Sequence, residues 1–252
     1  MAQEGTDGPT VGVVGTGVGD VAAVLDGDAV TGSVSDVLAA DPAWFVAGGE
    51  SALLELVRAG VDGPVLPVAA GRGVASVSPA EATDAVQSVL AGDAVEATRR
   101  MASVRVDGEE TAALFDVALV TAEAAQISEY EVLADDRRVA RFRADGVVVA
   151  TPAGSYGYAN DVGGPVVEPG TDVGAVVPVA PFVTDADHWV LDLASVSVNV
   201  HRDEPVSVVV DDREWKSVTP GETVHLGLGE HLRLFRVPGS DGFAAASGLE
   251  KL

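Results

Sequence analysis

Cysteine is absent from the 252 residues, which excludes disulfides, thiolate nucleophiles and cysteine-based metal sites. Lysine is nearly absent too. Lys216 and Lys251 are the lysines, and the remaining basic residues, of 15 in all, are arginines. No apolar run approaches the roughly 18 unbroken residues that a membrane-spanning helix needs. Met1-Ala2-Gln3-Glu4 lacks the basic start of a secretory signal, so a cytoplasmic protein without a membrane partner is expected.

What is present is acid. Against 15 basic residues stand 39 Asp and Glu, for a formal net charge of −24. A pI near 4.2 argues against a nucleic-acid backbone as partner. The acids are spread along the chain, 47% of residues are hydrophobic, and mean hydropathy is +0.27, as for a packed globule rather than a disordered tail. Self-repulsion at this charge weakens the compact state in dilute buffer and is screened in strong salt. Adaptation to a salty, halophilic cytoplasm is therefore expected; an ordinary acidic protein would not explain the missing lysine.

The first part of the chain alternates strands and helices. Short apolar runs at Val11–Val14, Trp44–Ala47 and Val65–Val68 read as strands. Val21–Leu25 and Ala52–Val57 read as helices, and Ser78-Pro79-Ala80-Glu81 opens another that reaches about Leu90. That alternation implies an α/β domain with a parallel, Rossmann-like sheet over residues 1–97. Residues 98–230 are β-rich, with strands at 101–106, 118–121, 127–133, 137–142, 147–150, 176–179, 189–193, 195–201, 206–210 and 223–226. Turn signals such as Asp107-Gly108, Asp135-Asp136 and Asp211-Asp212 separate many of them, which implies an all-β, sandwich-like domain. A further strand is expected at 232–237, and the Ala-rich tail from Phe243 to Leu252 reads as a helix.

Three stretches carry candidate chemistry. Gly15-Thr16-Gly17-Val18-Gly19 sits where a dinucleotide fingerprint would, but its third glycine comes one residue early, so a strand-to-helix turn is the better reading. Gly48-Gly49-Glu50-Ser51-Ala52 also joins a strand to a helix. Its glycines admit a close ligand, and Glu50 either caps the helix, which the local pattern favours, or accepts a proton. Thr151-Pro152-Ala153-Gly154-Ser155-Tyr156-Gly157-Tyr158, with Gly163-Gly164-Pro165 beyond it, is a loop rich in hydroxyls, bare amides and aromatic faces. It suits a nucleotide or sugar, or else forms a structural turn with packed tyrosines. His188, His201, His225 and His231 show no metal-ligand spacing. Asp135-Asp136 and Asp211-Asp212 read as solvated turn acids.

In order and separation these stretches resemble the NAD kinase family, marked by a GGDGT motif, an NE or ND pair, and a TPTGSTAY loop followed by GGP. The likeness runs almost end to end. Gly71-Arg72-Gly73-Val74 resembles part of the family's GRLGF segment, and Arg143-Ala144-Asp145-Gly146 its R-x-D-G. The resemblance implies a two-domain fold in which the C-terminal segment, residues 231–252, returns to the first domain. It implies a kinase that uses ATP with Mg²⁺, or another phosphoryl donor, to phosphorylate the adenosine-ribose 2′-hydroxyl of NAD. A homo-oligomer, dimer or tetramer, is implied as well.

By the same likeness Glu50 takes the place of the catalytic aspartate. Gly48, Gly49 and Ser51 lie against phosphate, with Arg72 nearby. Phe115 stands where the pair has Asn, and Asp116 is its acid. Arg143 and Asp145 match further dinucleotide contacts. Thr151, Gly154, Ser155, Tyr156, Gly157, Tyr158 and Asp161 line the nucleotide site. Departures gather at the reacting end: Glu50 for Asp, Ser51 for Gly and Phe115 for Asn. A nucleotide-binding regulatory paralogue without turnover, or a kinase for another acceptor, are the alternatives.

Overall fold

The computed structural model describes residues 10–121, 127–182, 187–201, 205–238 and 240. The expected C-terminal helix from Phe243 to Leu252 lies outside them. The chain divides into two compact units. One comprises the described residues up to Thr98 and those from Leu232 onward; the other is Arg99–His231.

The first unit is built on four strands: β1 (Val11–Gly15), β2 (Ala29–Thr31), β3 (Trp44–Gly48) and β4 (Val65–Val68). They lie in the order β2-β1-β3-β4, all parallel. β3 and β4 are buried along their whole length, which is why they read as unbroken apolar runs rather than alternating ones. Helices α1 (Val21–Val24), α2 (Val34–Leu38), α3 (Glu50–Arg58) and α4 (Ala82–Ala91) make the connections. α3 buries Ala52, Leu53, Leu54 and Leu56, a helical repeat that fixes which of its faces meets the sheet. Each fully buried Leu of that row contributes about 1.5–3 kcal/mol. Ser78 and Glu81 form a capping box where an N-cap was expected, although the first turn, Pro79–Glu81, is 3₁₀ before α4 begins. β2 and α2 escaped the sequence reading because neither carries an apolar run.

The second unit is antiparallel. Its strands are β5 (Val95–Val106, entering from the first unit), β6 (Glu109–Ala113), β7 (Asp116–Thr121), β8 (Ser128–Ala134) and β9 (Arg137–Ala150). A four-residue helix, α5 (Tyr158–Asp161), follows. Then come β10 (Val173–Pro181), β11 (Trp189–Asp192), β12 (Val196–Val200), β13 (Val206–Val210), β14 (Arg213–Val218) and β15 (Thr223–Arg236), whose end from Leu232 belongs to the first unit and pairs in parallel with β4 at Leu234↔Val65. β7 pairs with β9 and β13, β9 with β8 and β10, and β8 with β12. The core is dominated by valines around the fully buried Tyr130, as β-branched side chains suit a pleated surface.

Two pairs of expected strands are single strands. Residues 137–142 and 147–150 belong to β9, because Gly146 pairs with both Val120 and Val179 and keeps the ladder intact. Residues 223–226 and 232–237 belong to β15, which runs on through Gly227-Leu228-Gly229. The Asp-Gly and Asp-Asp signals are hairpin turns: Asp107, Asp135, Asp136 and Asp211 all have φ between 50° and 59°.

Candidate functional site

In the first unit the candidate residues gather at the carboxyl ends of β1 and β3, the edge of a parallel sheet where ligands bind. Thr16 donates its backbone N–H to the Gly48 carbonyl at 2.9 Å, and Gly49 donates to the Val68 carbonyl at 2.8 Å. The approach is close: a Cβ on Gly15 would lie 2.0 Å from the Gly48 oxygen, and one on Gly48 would lie 2.1 Å from the Thr16 oxygen. The glycine of the false fingerprint therefore serves to let two crossover loops touch. Gly49, at φ 90°, leads directly into α3 and brings no capping side chain.

A cleft of about 370 Å³ opens here, lined by Thr16, Ser33, Gly48, Gly49, Glu50 and Ser51 among others. Glu50 and Ser51 are exposed at its mouth. Glu55 also lines it, and among the described residues no Lys or Arg does. Arg72 sits apart, in a hollow of about 330 Å³ beyond β4 with Gly71, Ser76, Ser78 and Glu81. The loop that carries it holds Ala69 at φ 50° and Ala75 at φ 54°, a left-handed conformation that costs a non-glycine residue about 1–2 kcal/mol.

In the second unit the expected pair and the expected loop are one hydrogen-bonded body. Thr151 donates its hydroxyl to the Leu114 carbonyl at 2.6 Å and its backbone N–H to the Phe115 carbonyl at 2.8 Å. The same hydroxyl accepts from the Gly154 N–H at 3.1 Å. Ser155 donates its hydroxyl to the Pro152 carbonyl at 2.8 Å and accepts from the Val167 N–H at 2.9 Å. Thr151 and Ser155 are thus buried and engaged inside the fold; the loop does not hold out these hydroxyls, contrary to its reading as a hydroxyl-bearing surface. Among the candidate residues its accessible groups are Gly157, Tyr158 and Asp161, with Tyr156 half-buried. Tyr158 and Asp161 bound α5, which Ala159 anchors in the core.

Arg143 and Asp145 lie farther along β9. Asp116 pairs with Ala150, and Asp145 is five residues, about 17 Å of strand, away. The Arg143 guanidinium stands 5.6 Å from the centre of the exposed Phe182 ring. The Asp145 carbonyl accepts from the Tyr130 hydroxyl at 3.4 Å and the Thr121 hydroxyl at 3.3 Å. Burial, and then the Asp145 carboxylate, push the Tyr130 phenol well above its ordinary pKa, so Tyr130 acts as a donor and not as a base.

Asp211, read from the sequence as a solvated acid, is half-buried and folds back on the pair. Its Oδ1 accepts from the Phe115 N–H at 2.7 Å and the Asp116 N–H at 3.2 Å, and its Oδ2 from the Leu114 N–H at 3.1 Å. A turn acid 95 to 97 residues downstream of its partners leaves no local signal for this contact. Among the described residues no group of three or more His, Cys, Asp or Glu could hold a metal ion, and no helix is long and apolar enough to cross a membrane.

Comparison with known proteins follows the same outline. A family model described as ATP-NAD kinase C-terminal domain matches residues 114–235, which include Phe115, Asp116, the Thr151 loop and Asp211. The NAD kinase of Gemmatimonas aurantiaca is 33% identical over 216 residues, 80% of this chain and 74% of that protein. That of Symbiobacterium thermophilum is 34% identical over 217 residues, 79% of this chain and 76% of that protein. That of Methanosarcina acetivorans is 37% identical over 155 residues, 60% of this chain and 55%, a little over half, of that protein. Among solved structures, an NAD kinase from Archaeoglobus fulgidus in complex with ATP superposes with a TM-score of 0.74 at 22% identity, covering 96% of this chain and 97% of that one. Yeast NADH kinase complexed with NADH gives 0.73 at 21% identity, covering 88% and 69%. At such identities the two structures speak for the fold alone.

Proposed function

The chain belongs to the NAD kinase family, and from that premise we propose that it transfers the terminal phosphoryl group of ATP to the 2′-hydroxyl of the adenosine ribose of NAD. The observation that supports this best is the clamp in the second unit, where Phe115-Asp116 and the Thr151–Ser155 turn form one hydrogen-bonded body inside the family-matched region. Rigid backbone at those positions is what a ribose site needs, since phosphoryl transfer depends mainly on positioning and charge neutralisation.

Each residue then has a role. Glu50 accepts the proton of the ribose 2′-hydroxyl, the 2′-oxygen bonds to the terminal phosphorus, and the bond from that phosphorus to the bridging oxygen breaks to release ADP. Gly48, Gly49 and Ser51, at the start of α3, face phosphate oxygens, where backbone N–H groups favour anions. Asp116 accepts from vicinal ribose hydroxyls, as a carboxylate does strongly. Phe115 offers a ring face to adenine in place of an amide. Arg143 and Asp145 make contacts farther along the dinucleotide, and Gly154, Tyr156, Gly157, Tyr158 and Asp161 bound the nucleotide. Mg²⁺ accompanying ATP would be held through substrate phosphates and water with only one or two carboxylates, and would supply neutralisation of phosphate charge. The exposed acids of the Glu50 cleft suit that arrangement. Arg72 lies in its own hollow and is assigned to the phosphate tail. A homo-oligomer in a salty cytoplasm completes the proposal.

One observation favours a second reading. Ser51 occupies the mouth of the cleft, where the family motif has a glycine, and a side chain there crowds a phosphate. A paralogue that binds nucleotide without turnover would carry that change.

The test is an assay in molar salt with ATP, Mg²⁺ and NAD, on the natural chain and on Glu50→Ala. NADP formation that falls at least about a hundredfold in the variant, with NAD binding retained, supports the kinase. Saturable NAD binding without turnover in either protein selects the paralogue. Turnover only with a different acceptor overturns the NAD assignment.

A further inference from the structure

We propose that Asp211 is a positioning residue for the acceptor side of the site, acting through the backbone of Phe115 and Asp116; this rests on the reading of that pair as the dinucleotide contact. Three consecutive N–H groups, of Leu114, Phe115 and Asp116, converge on the one carboxylate. Successive amides turned toward a single point form an anion-binding concavity, and here the anion is part of the protein. Bonds of this charged kind are roughly twice as strong as neutral ones.

The carboxylate arrives on a rigid mount. Asp211 occupies the turn between β13 and β14 at φ 53°, a conformation Asp tolerates through its short polar side chain. β13 pairs with β7 in unbroken register from Val206↔Thr121 to Val210↔Val117, so the turn reaches the start of β7 where Asp116 begins. The Asp211 N–H closes the ladder on the Asp116 carbonyl at 2.9 Å. The opposite side is held as well, since Thr151 engages the Leu114 and Phe115 carbonyls. The tripeptide therefore has its donors satisfied by Asp211 and two of its acceptors by Thr151, and its backbone has little freedom to turn. The other hairpin acids at left-handed φ, Asp107, Asp135 and Asp136, are exposed; Asp211 is half-buried against its partners.

The consequence is specific. Where the Asp116 carboxylate points follows from the backbone that carries it, and a shift of about 1 Å at a reacting group can cost on the order of a hundredfold. Loss of the clamp should weaken the acceptor and spare the donor. Asp211→Asn keeps one acceptor oxygen and turns an N–H₂ toward the remaining amide, so its effect should lie between those of the natural residue and Asp211→Ala.

The experiment compares the natural chain, Asp211→Asn, Asp211→Ala and, as a control, Asp212→Asn. We expect the NAD KM to rise about tenfold or more in Asp211→Asn while the ATP KM stays within about twofold. Amide exchange at Leu114, Phe115 and Asp116 should quicken, and Asp212→Asn should match the natural chain. Where a protein does not turn over, the NAD Kd by calorimetry replaces the KM. The proposal is overturned if the NAD affinity of Asp211→Asn stays within about twofold of the natural chain, if both KM values rise together, or if the three amides exchange as before. Asp211→Asn and the amides of the natural chain keep the test open should Asp211→Ala fail to fold. A natural chain that binds no NAD overturns the function itself, and this is seen before any variant is made.

Discussion

A side chain on Gly154 would place its Cβ 1.8 Å from the carbonyl oxygen of Phe115. No rotamer avoids that overlap, because the obstacle is backbone. The loop and the segment before β7 that carries Phe115 are thus in direct contact, and glycine is the residue that allows it. We expect Gly154→Ala to cost about 3 kcal/mol of stability, the upper range for overpacking a tight site. Urea unfolding measures it; a loss under about 0.5 kcal/mol would mean that the two segments separate at little cost.

Thr151 offers a second test in the same body. Thr151→Val keeps the shape and removes the hydroxyl that bonds the Leu114 carbonyl and the Gly154 N–H, both buried. Leaving such groups unsatisfied costs about 1–3 kcal/mol each, whereas Thr151→Ser keeps the bonds. The thermal midpoint should fall clearly for Val and slightly for Ser. Equal losses would place the role in the methyl group instead.

Much of this arrangement was legible in the sequence, and the remainder shows what a linear reading misses. The parallel strands around Val46 and Leu66 announced themselves because burial on both faces demands continuous apolar runs. The hairpins at Asp107 and Asp135 were marked by turn residues that tolerate left-handed backbone. β6 and β14 were not legible, since Glu109–Ala113 and Arg213–Val218 are largely polar segments recruited by their partners. Of the candidate residues, Thr151 and Ser155 were found for their hydroxyls, yet those hydroxyls brace the fold. Asp211 was read as solvent-facing because its three partners lie about a hundred residues upstream, beyond the reach of any local pattern.

Charge makes a prediction of its own. With a net charge of −24, repulsion should be screened as salt rises. We expect the thermal midpoint to climb steadily between about 0.1 M and 2 M KCl. A flat or falling midpoint would remove the inference of salt adaptation.

The acid limb of stability has a defined contributor in Glu131. Hydrogen bonds from Asn199 and then from His201 hold its carboxyl below the ordinary value of 4.5. A depressed folded-state pKa gives stability that is present above the unfolded value and lost as pH falls through the folded one. Glu131→Gln should therefore reduce the difference between unfolding midpoints at about pH 6 and pH 3 relative to the natural chain. An unchanged difference would show that the pair at β8 and β12 contributes nothing to acid sensitivity.

The most direct measurement is phosphorus NMR of the reaction product, formed from ATP and NAD in molar salt, with ADP counted alongside. We expect one new phosphate monoester on the 2′-oxygen of the adenosine ribose for each ADP released. Phosphate at any other position, or ADP released with NAD unchanged, would contradict the assignment of Glu50 and Asp116 to that hydroxyl.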